Sequence, residues 1–323
     1  MNTQFATPHV VVSGCLDFEA CRYNGQRIPF DLIRELEPYV KYVPICPEVE
    51  IGLGTPRDPI RLVKGNDAPQ LVQPATGRNV TEEMDTFSTS FLAESGDVDG
   101  FILKSRSPSC GLHGVKVYDG PETNSNNGRS PGRFAAAVVA QYPGAAMEDE
   151  GRLRNYRIRE HFLTKLFGLA RLRCASSMRE LVAFHTEYKF VLMTYNQQKM
   201  RELGRLVANA GGQSLDQILP AYRGGFGLAL RIAPRYTTVI NTVEHAYGYM
   251  SDKLNAGEKS FYRRQLERYR NGRLPVSALT SLVHVWAVRF EVSYLLEQSF
   301  FQPYPDELAS LSDSGKGRLS RGV

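Results

Sequence analysis

The chain has no apolar run that approaches the roughly 20 residues of a membrane-spanning helix, and Met1 to Val12 lack the charged start and long apolar core of a secretory signal. A cytoplasmic location with no membrane partner is therefore expected. Cysteine is scarce: there are five in 323 residues, an odd number without the compact spacing of a disulfide framework. That pattern argues against structural disulfides and fits a reducing compartment. Close Cys-x-x-Cys pairs are missing, which counts against structural zinc. A tightly clustered cysteine triplet, the mark of radical chemistry with S-adenosylmethionine, is absent too. Gly52 and Gly54 have no third glycine in a strand-turn-helix setting, so a phosphate-binding turn is poorly supported and a close backbone passage is the better reading.

Charge divides the chain in two. Residues 1–150 hold 13 Lys and Arg against 20 Asp and Glu, whereas residues 151–323 hold 26 against 14. So large a basic excess in one part exceeds what solubility needs and suggests a polyanionic partner. The break falls at residues 142–151, a helix-stopping, small and acidic stretch that reads as a linker.

In the first part, apolar strand-like runs alternate with helical segments, the logic of an α/β fold with a Rossmann-like parallel sheet. Pro29 to Tyr39 suits a short helix. Thr81 to Leu92 opens like a capping box, and Ser130-Pro131 resembles an N-cap with proline at the first helical position before Gly132 to Tyr142. Arg57 to Gly77 and Asp119 to Gly128 read as polar surface loops. The second part shows no strand signal. Leu153–Cys174, Met178–Tyr195, Lys199–Ala210, Ser214–Phe226, Pro234–Leu254, Glu258–Asn271 and Pro275–Phe301 suggest an all-α domain, with Gly211-Gly212 and Gly224-Gly225 as breaks. After Pro303 the chain is small and polar, as in a disordered tail over 303–323.

Three cysteines each follow one of the apolar runs. Val10-Val11-Val12 precedes Cys15, Tyr42 to Ile45 precedes Cys46, and Phe101-Ile102-Leu103 precedes Cys110. Residues just beyond the carboxyl ends of parallel strands converge on one crevice. Three thiolates there suit an iron–sulfur cluster with one iron left without a protein ligand, since the saturated form takes four. For Cys21 a spare ligand, a relay and packing stay open, with packing or loop support the favoured reading, and Cys174 reads as structural. The histidines, among them His161, His185, His245 and His284, fall mostly on helices where packing is the simpler role.

Ser13-Gly14-Cys15-Leu16, Cys21-Arg22-Tyr23-Asn24-Gly25, Cys46-Pro47-Glu48 and Lys104-Ser105-Arg106-Ser107-Pro108-Ser109-Cys110-Gly111 together resemble the motifs of the bacterial thiouracil desulfidase family. The remainder is similar to the YbgA-type helical domain. The combination looks most like the fused desulfidases that act on 4-thiouridine in transfer RNA. The resemblance implies an iron–sulfur desulfidase domain over 1–145 and an RNA-binding all-α domain over 152–302. It further implies a [4Fe-4S] cluster held by Cys15, Cys46 and Cys110, and a non-redox, hydrolytic removal of sulfur as sulfide.

Around that cluster Glu48 is the expected general base or proton donor. Ser107 and Ser109 would orient the base or meet the leaving sulfur, without a way to choose between them, and Lys104 would stabilise negative charge. For transfer RNA as substrate, the candidate contacts are Arg157, then Lys199, Arg201 and Arg205, then Arg263, Arg264 and Arg268, with Tyr156, Phe261, Tyr262 and Tyr269 interleaved. Two other outcomes stay open: a desulfidase for free thiouracil or thionucleosides, and a noncatalytic iron–sulfur RNA-binding or sensor protein. Oligomeric state is not legible.

Overall fold

The computed structural model describes residues 5–126, 128–208 and 212–309. The chain forms two compact units: one ends at Arg173 and takes in Glu307 and Leu308, and the other runs Cys174–Asp306. The first unit thus extends through a helix that the sequence assigned to the second domain.

The first unit begins with β1 (His9–Ser13), α1 (Asp31–Leu36), β2 (Lys41–Ile45) and a single helical turn, α2 (Pro47–Glu50). Three short strands follow, β3 (Arg61–Val63), β4 (Gln70–Gln73) and β5 (Arg78–Asn79), then α3 (Thr81–Glu94) and β6 (Gly100–Leu103). The unit continues with β7 (Val115–Tyr118), β8 (Gly128–Ser130), α4 (Arg133–Gln141), β9 (Ala146–Asp149) and α5 (Tyr156–Arg173).

The principal sheet has the order β2-β1-β6-β9, all parallel. The central strands β1 and β6 are buried on both faces, as strands covered by packing on either side are, whereas the edge strand β2 is half exposed. Val11, Phe101 and Leu103 join a core with Met84, Leu92, Phe134 and Val138 of α3 and α4. Gly100 points the other way, and a Cβ there would stand 2.7 Å from Cδ1 of Leu166 on α5. Glycine lets α5 approach the strand.

Two expectations for this unit are corrected. Arg57 to Gly77 is not simply a loop: β3 and β4 lie in a second, mixed sheet of order β5-β4-β3-β7-β8, whose Leu62, Leu71 and Val115 enter the same core. Residues 142–151 are not a solvated linker, since they contain β9, the fourth parallel strand. Its acidic end is buried because it is satisfied. Glu148 accepts from Arg152 Nε at 2.8 Å, and Asp149 accepts from the Arg152 amide at 2.8 Å. Burial raises the Glu148 carboxyl above its ordinary range, against the pull of Arg152.

Helix starts also differ from expectation. Thr81 does not cap α3; its amide and hydroxyl both donate to Asn79 Oδ1, at 3.0 and 2.6 Å. Ser130 ends a strand, and α4 starts after Gly132. The cap of α4 comes instead from another loop: the Arg133 amide donates to Pro108 O at 2.9 Å and the Ala135 amide to Ser109 O at 3.0 Å. Those are first-turn amides that no intrahelical carbonyl can reach.

The second unit is all-α: α6 (Met178–Glu187), α7 (Lys189–Tyr195), α8 (Gln197–Ala208), α9 (Leu215–Ala229), α10 (Tyr236–Gly248), α11 (Ala256–Arg270), α12 (Val276–Arg289) and α13 (Ser293–Leu296). Its core joins Phe190, Val243, Met250, Leu279, Val283 and Trp286. Gly224-Gly225 does not break α9. A Cβ at Gly225 would lie 2.7 Å from Leu203 Cδ2, so glycine there permits close packing against α8. The expected disordered tail is ordered at its start, with Tyr304 and Leu308 buried; residues 310–323 of it lie outside the described residues. Among the described residues no helix is long and apolar enough to cross a membrane.

Candidate active site

Strand order places the chemistry. β1 lies between β2 and β6, so the chain leaves its two neighbours in opposite directions, and a crevice opens at their carboxyl ends. The Gly14 amide donates to Ile45 O at 2.7 Å, and the Lys104 amide donates to Ser13 Oγ at 2.9 Å, which draws the three loops together. They enclose a cavity of about 340 Å³ lined by Cys15, Cys21, Cys46, Cys110, Glu48, Arg57, Lys104, Ser107 and Ser109, among others. A second hollow of similar volume, on α11 and α12, is lined by Phe261, Leu274, Ala278, Leu282, Val285 and two polar neutral residues. It holds no acid, base or thiol, so the chemistry belongs to the first.

Each loop is built to present its residues. Cys46 caps α2, where Pro47 at the first helical position starts the turn that carries Glu48. Gly52 and Gly54, with φ of 82° and 70°, reverse the chain and return Arg57 beneath Glu48. The third loop is closed by main-chain bonds: the Gly111 amide donates to Ser107 O at 2.9 Å, and the Gly132 amide donates to Gly111 O at 2.7 Å. Gly132 is required there, because a Cβ would stand 2.5 Å from Ser109 O.

Glu48 is the centre of the polar network. Its Oε2 accepts from Arg57 Nε at 3.0 Å and Nη2 at 2.8 Å; its Oε1 accepts from Ser109 Oγ at 2.6 Å, with Ser107 Oγ farther at 3.4 Å. The two serines thus separate. Ser109 addresses the carboxylate, while Ser107 Oγ accepts the Cys110 amide at 3.1 Å and fixes the turn. Arg57 also donates to Cys21 O at 3.0 Å and Gly54 O at 2.8 Å, and its Nη2 lies 3.8 Å from Cys46 Sγ. Burial would lower its pKa, but Glu48 outweighs that and raises it, so the guanidinium stays charged. Lys104 donates to Ser105 O at 2.9 Å and is paired with Glu150. Burial opposes ionisation of Glu150, yet Lys104 and Ser105 hold its carboxyl below the usual range.

Four thiols line the cavity. Cys46 Sγ is 3.6 Å from Cys21 O. A hydrogen bond with Cys15, then burial, pushes the Cys21 thiol up to about 11. Cys46 is raised by its hydrogen bond with Cys21 and by burial, and burial pushes Cys110 up to about 12. Ligation takes the thiolates, so a metal centre bound here releases protons. Among the described residues no three His, Cys, Asp or Glu side chains form a close ligating group for an ion. A single zinc takes sulfur at about 2.3 Å and needs its donors gathered; a cluster takes thiolates at separate corners. Soft sulfur donors spread round one cavity fit the cluster.

Arg57 escaped the sequence. It stood in what read as a loop, although Gly52 and Gly54, shortly after Cys46-Pro47-Glu48, signalled a reversal. Cys21 lies six residues past Cys15 on the same excursion and returns to the same cavity. Cys174 is exposed and distant in sequence from every lining residue. The basic candidates lie on three different helices. Arg157 lies on α5 in the first unit; Lys199, Arg201 and Arg205 lie on α8, which packs on α6, α7 and α9; Arg263, Arg264 and Arg268 lie on α11, which packs on α10 and α12. Tyr262 is buried against Tyr247, whereas Phe261 is exposed with Arg264 over its ring at 5.5 Å.

Comparison with known proteins fits this division. The 2-thiouracil desulfurase family model matches residues 10–150. The uncharacterized protein YbbK of Bacillus subtilis (strain 168) is 36% identical over 109 residues, 32% of this chain and 72% of that protein. Through these residues the chain belongs to the 2-thiouracil desulfurase family. In this family member a second model, a protein of unknown function (DUF1722), matches residues 189–305. The uncharacterized protein YbgA of Escherichia coli (strain K12) is 24% identical over 161 residues, 50% of this chain and 87% of its own length. A solved structure titled [4Fe-4S]-dependent thiouracil desulfidase TudS is 24% identical, with a TM-score of 0.35, over 46% of this chain and 93% of that one.

Proposed function

We propose that this desulfurase-family chain removes sulfur from 4-thiouridine in transfer RNA by hydrolysis, with a [4Fe-4S] cluster held by Cys15, Cys46 and Cys110. One observation carries the proposal: thiols, a carboxylate and a hydroxyl from three separate loops line the same switch-point cavity, with the carboxylate oriented by a buried guanidinium. Bound there, the cluster would supply an open iron as Lewis acid that draws electron density from the C–S bond.

The chain's own groups handle water and protons. Arg57 holds Glu48 in one orientation through Oε2, which leaves Oε1, bonded to Ser109, to take a proton from water that attacks the thiocarbonyl carbon. Ser109, 2.6 Å from that oxygen, relays the proton toward the departing sulfur. Water gives its oxygen to carbon, the C–S bond breaks, and sulfide leaves with the protons; no electron is transferred. Lys104, anchored by Glu150, contributes positive charge near the departing anion. Basic α8 and α11 would grip phosphates of the RNA without reading sequence.

The test is anaerobic reconstitution of the full chain and incubation with thiolated transfer RNA, with sulfide and uridine measured. Both should appear in equal amounts. Glu48→Gln should keep the iron and slow release by about 100-fold or more. The family's own description favours a second substrate, free 2-thiouracil; turnover of the free base at the rate seen with RNA would select it. A cluster-loaded protein that binds RNA and releases no sulfide is a sensor.

A further inference from the structure

One helix of the second unit carries more apolar surface than its fold consumes. On α12, Leu279, Val283, Trp286 and Ala287 are buried in the unit's core. A helix with one side to cover needs a single apolar stripe. α12 has a second. Ala278, Leu282 and Val285, at i, i+4 and i+7, line the hollow of about 340 Å³ shared with α11, and Val288 extends the row by a further turn. Val285 is 62% exposed and Val288 is 53% exposed. Valine has no local reason to stand there, because its branched side chain makes it a poorer helix former than alanine. Apolar side chains kept in a row on the outside mark a face that something else covers.

The rim of the hollow carries charge of one sign. α12 holds no Asp or Glu. On α11, Phe261 forms the opposite wall with the Arg264 guanidinium 5.5 Å from its ring centroid, and Gln265 Oε1 accepts from Arg268 Nη1 at 3.1 Å. The two acids of α11 are already committed, Glu258 to Arg289 and Glu267 to Arg270. Arg264 and Arg268 are thus left without an acidic partner among the described residues.

Several occupants fit poorly. The chain's own last residues, 310–323, hold Lys316, Arg318 and Arg321 against Asp313, and a basic rim repels a basic segment. A second copy that met this face through the same face would set arginine against arginine. A bilayer takes apolar side chains that protrude, whereas Phe261, Leu274 and Leu282 line a concavity. Nucleic acid would engage the arginines and leave the valines uncovered. What fits is a helix with apolar side chains along one face and carboxylates at its flanks: the first fill the hollow, the second take the free guanidinium forks.

We infer that the groove between α11 and α12 is a docking site for an acidic amphipathic helix of another protein. The row from Ala278 to Val288 is about 15 Å long, which accommodates about three turns of such a helix. Arg264 and Arg268 serve it, while Arg263, about 200° round α11 from Phe261, remains available to phosphate. The site lies on the second unit, outside the desulfidase cavity, and does not depend on a cluster.

The test uses the full chain and a labelled synthetic peptide of about 18 residues, with leucine at i, i+4 and i+7 and glutamate at the flanking positions. A scrambled peptide of the same composition and one with lysine for glutamate are the controls. Fluorescence anisotropy should show that the acidic amphipathic peptide alone binds, with an affinity that falls as salt rises, and circular dichroism should show it become helical. Val285→Ser with Val288→Ser should weaken binding by about tenfold or more, since the pair loses apolar burial. Arg264→Gln with Arg268→Gln should weaken it by a similar factor and flatten its salt dependence, whereas Arg263→Gln should change it by less than about twofold. The two valines are exposed, so Tm and Trp286 emission should stay as in the parent.

No binding at about 1 mM peptide, equal binding of either control, or binding that survives the valine substitutions would overturn the inference. Three further results would reassign the face and overturn it as well. They are an RNA whose affinity falls with the valine substitutions, phosphatidylserine vesicles that bind where the peptide does not, and a dimer in sedimentation that the serine variants dissolve.

Discussion

Removing Arg57 is the sharpest perturbation of the site. Its side chain is 4% exposed and that of Glu48 is 12% exposed, so the pair is shielded from solvent. Taking one partner from a buried pair costs about 3–5 kcal/mol, because the other charge remains without compensation. Glu48 keeps its bond from Ser109, which places Arg57→Met near the lower end, at about 3 kcal/mol. In a folding unit of this size that corresponds to a fall in Tm of roughly 6–12 °C. Glu48→Gln added to Arg57→Met should restore part of the loss, and the double-mutant cycle should show a coupling of at least about 1.5 kcal/mol. The single tryptophan, Trp286, lies in the second unit and cannot report this change. Hydrogen exchange of the β1 and β2 amides can. If Arg57→Met leaves their protection within about 0.5 kcal/mol of the parent, or if the two substitutions are simply additive, the buried-pair reasoning is wrong.

Serine at Cys15, Cys46 or Cys110 should each abolish cluster incorporation, measured as iron and sulfide per chain, whereas Cys21→Ser should retain most of it; the opposite outcome makes Cys21 a ligand. Gly132→Ala drives a methyl to 2.5 Å from Ser109 O, so it should displace the Cys110 loop and lower both stability, by about 1–3 kcal/mol, and iron content. In the second unit, burial lowers His185, with Lys189 adding to it, and lowers His284 against the opposing pull of Asp306. The native state then binds fewer protons than the unfolded chain as pH falls through the ordinary imidazole range near about 6.5, so stability present above that range is lost below it. Urea midpoints read by Trp286 fluorescence should fall between about pH 7.5 and 5.5, and a His185→Gln, His284→Gln double variant should flatten the fall.

The principal sheet was legible because Val10 to Val12 and Phe101 to Leu103 are buried on both faces and read as continuous apolar runs. Their ends therefore located the cysteines and Glu48. The second sheet was hidden. β3 has three residues and β5 has two, too few for alternation to register, and their identity as strands comes from pairing, β3 with β7 far along the chain and β5 with its neighbour β4. β9 was masked by the acids at and just past its end; Arg152 is a local partner of Glu148, but Lys104 and Ser105, which satisfy Glu150, are far away in sequence. Arg57 was missed for a related reason. A charged residue in a polar stretch reads as solvated until a turn is seen to carry it inward. The N-terminus of α4 misled because its amides are met by carbonyls some two dozen residues earlier, which a search for adjacent capping side chains cannot find.

That borrowed cap has a further effect. Pro108 and Ser109 are pinned through their carbonyls to the amides of Arg133 and Ala135, and Gly111 is pinned to Gly132. The Ser107 hydroxyl adds one side-chain tie, to the Cys110 amide. The loop that carries Cys110 thus leans mainly on the helix it caps, so any disturbance at the start of α4 travels through main chain to the sulfur.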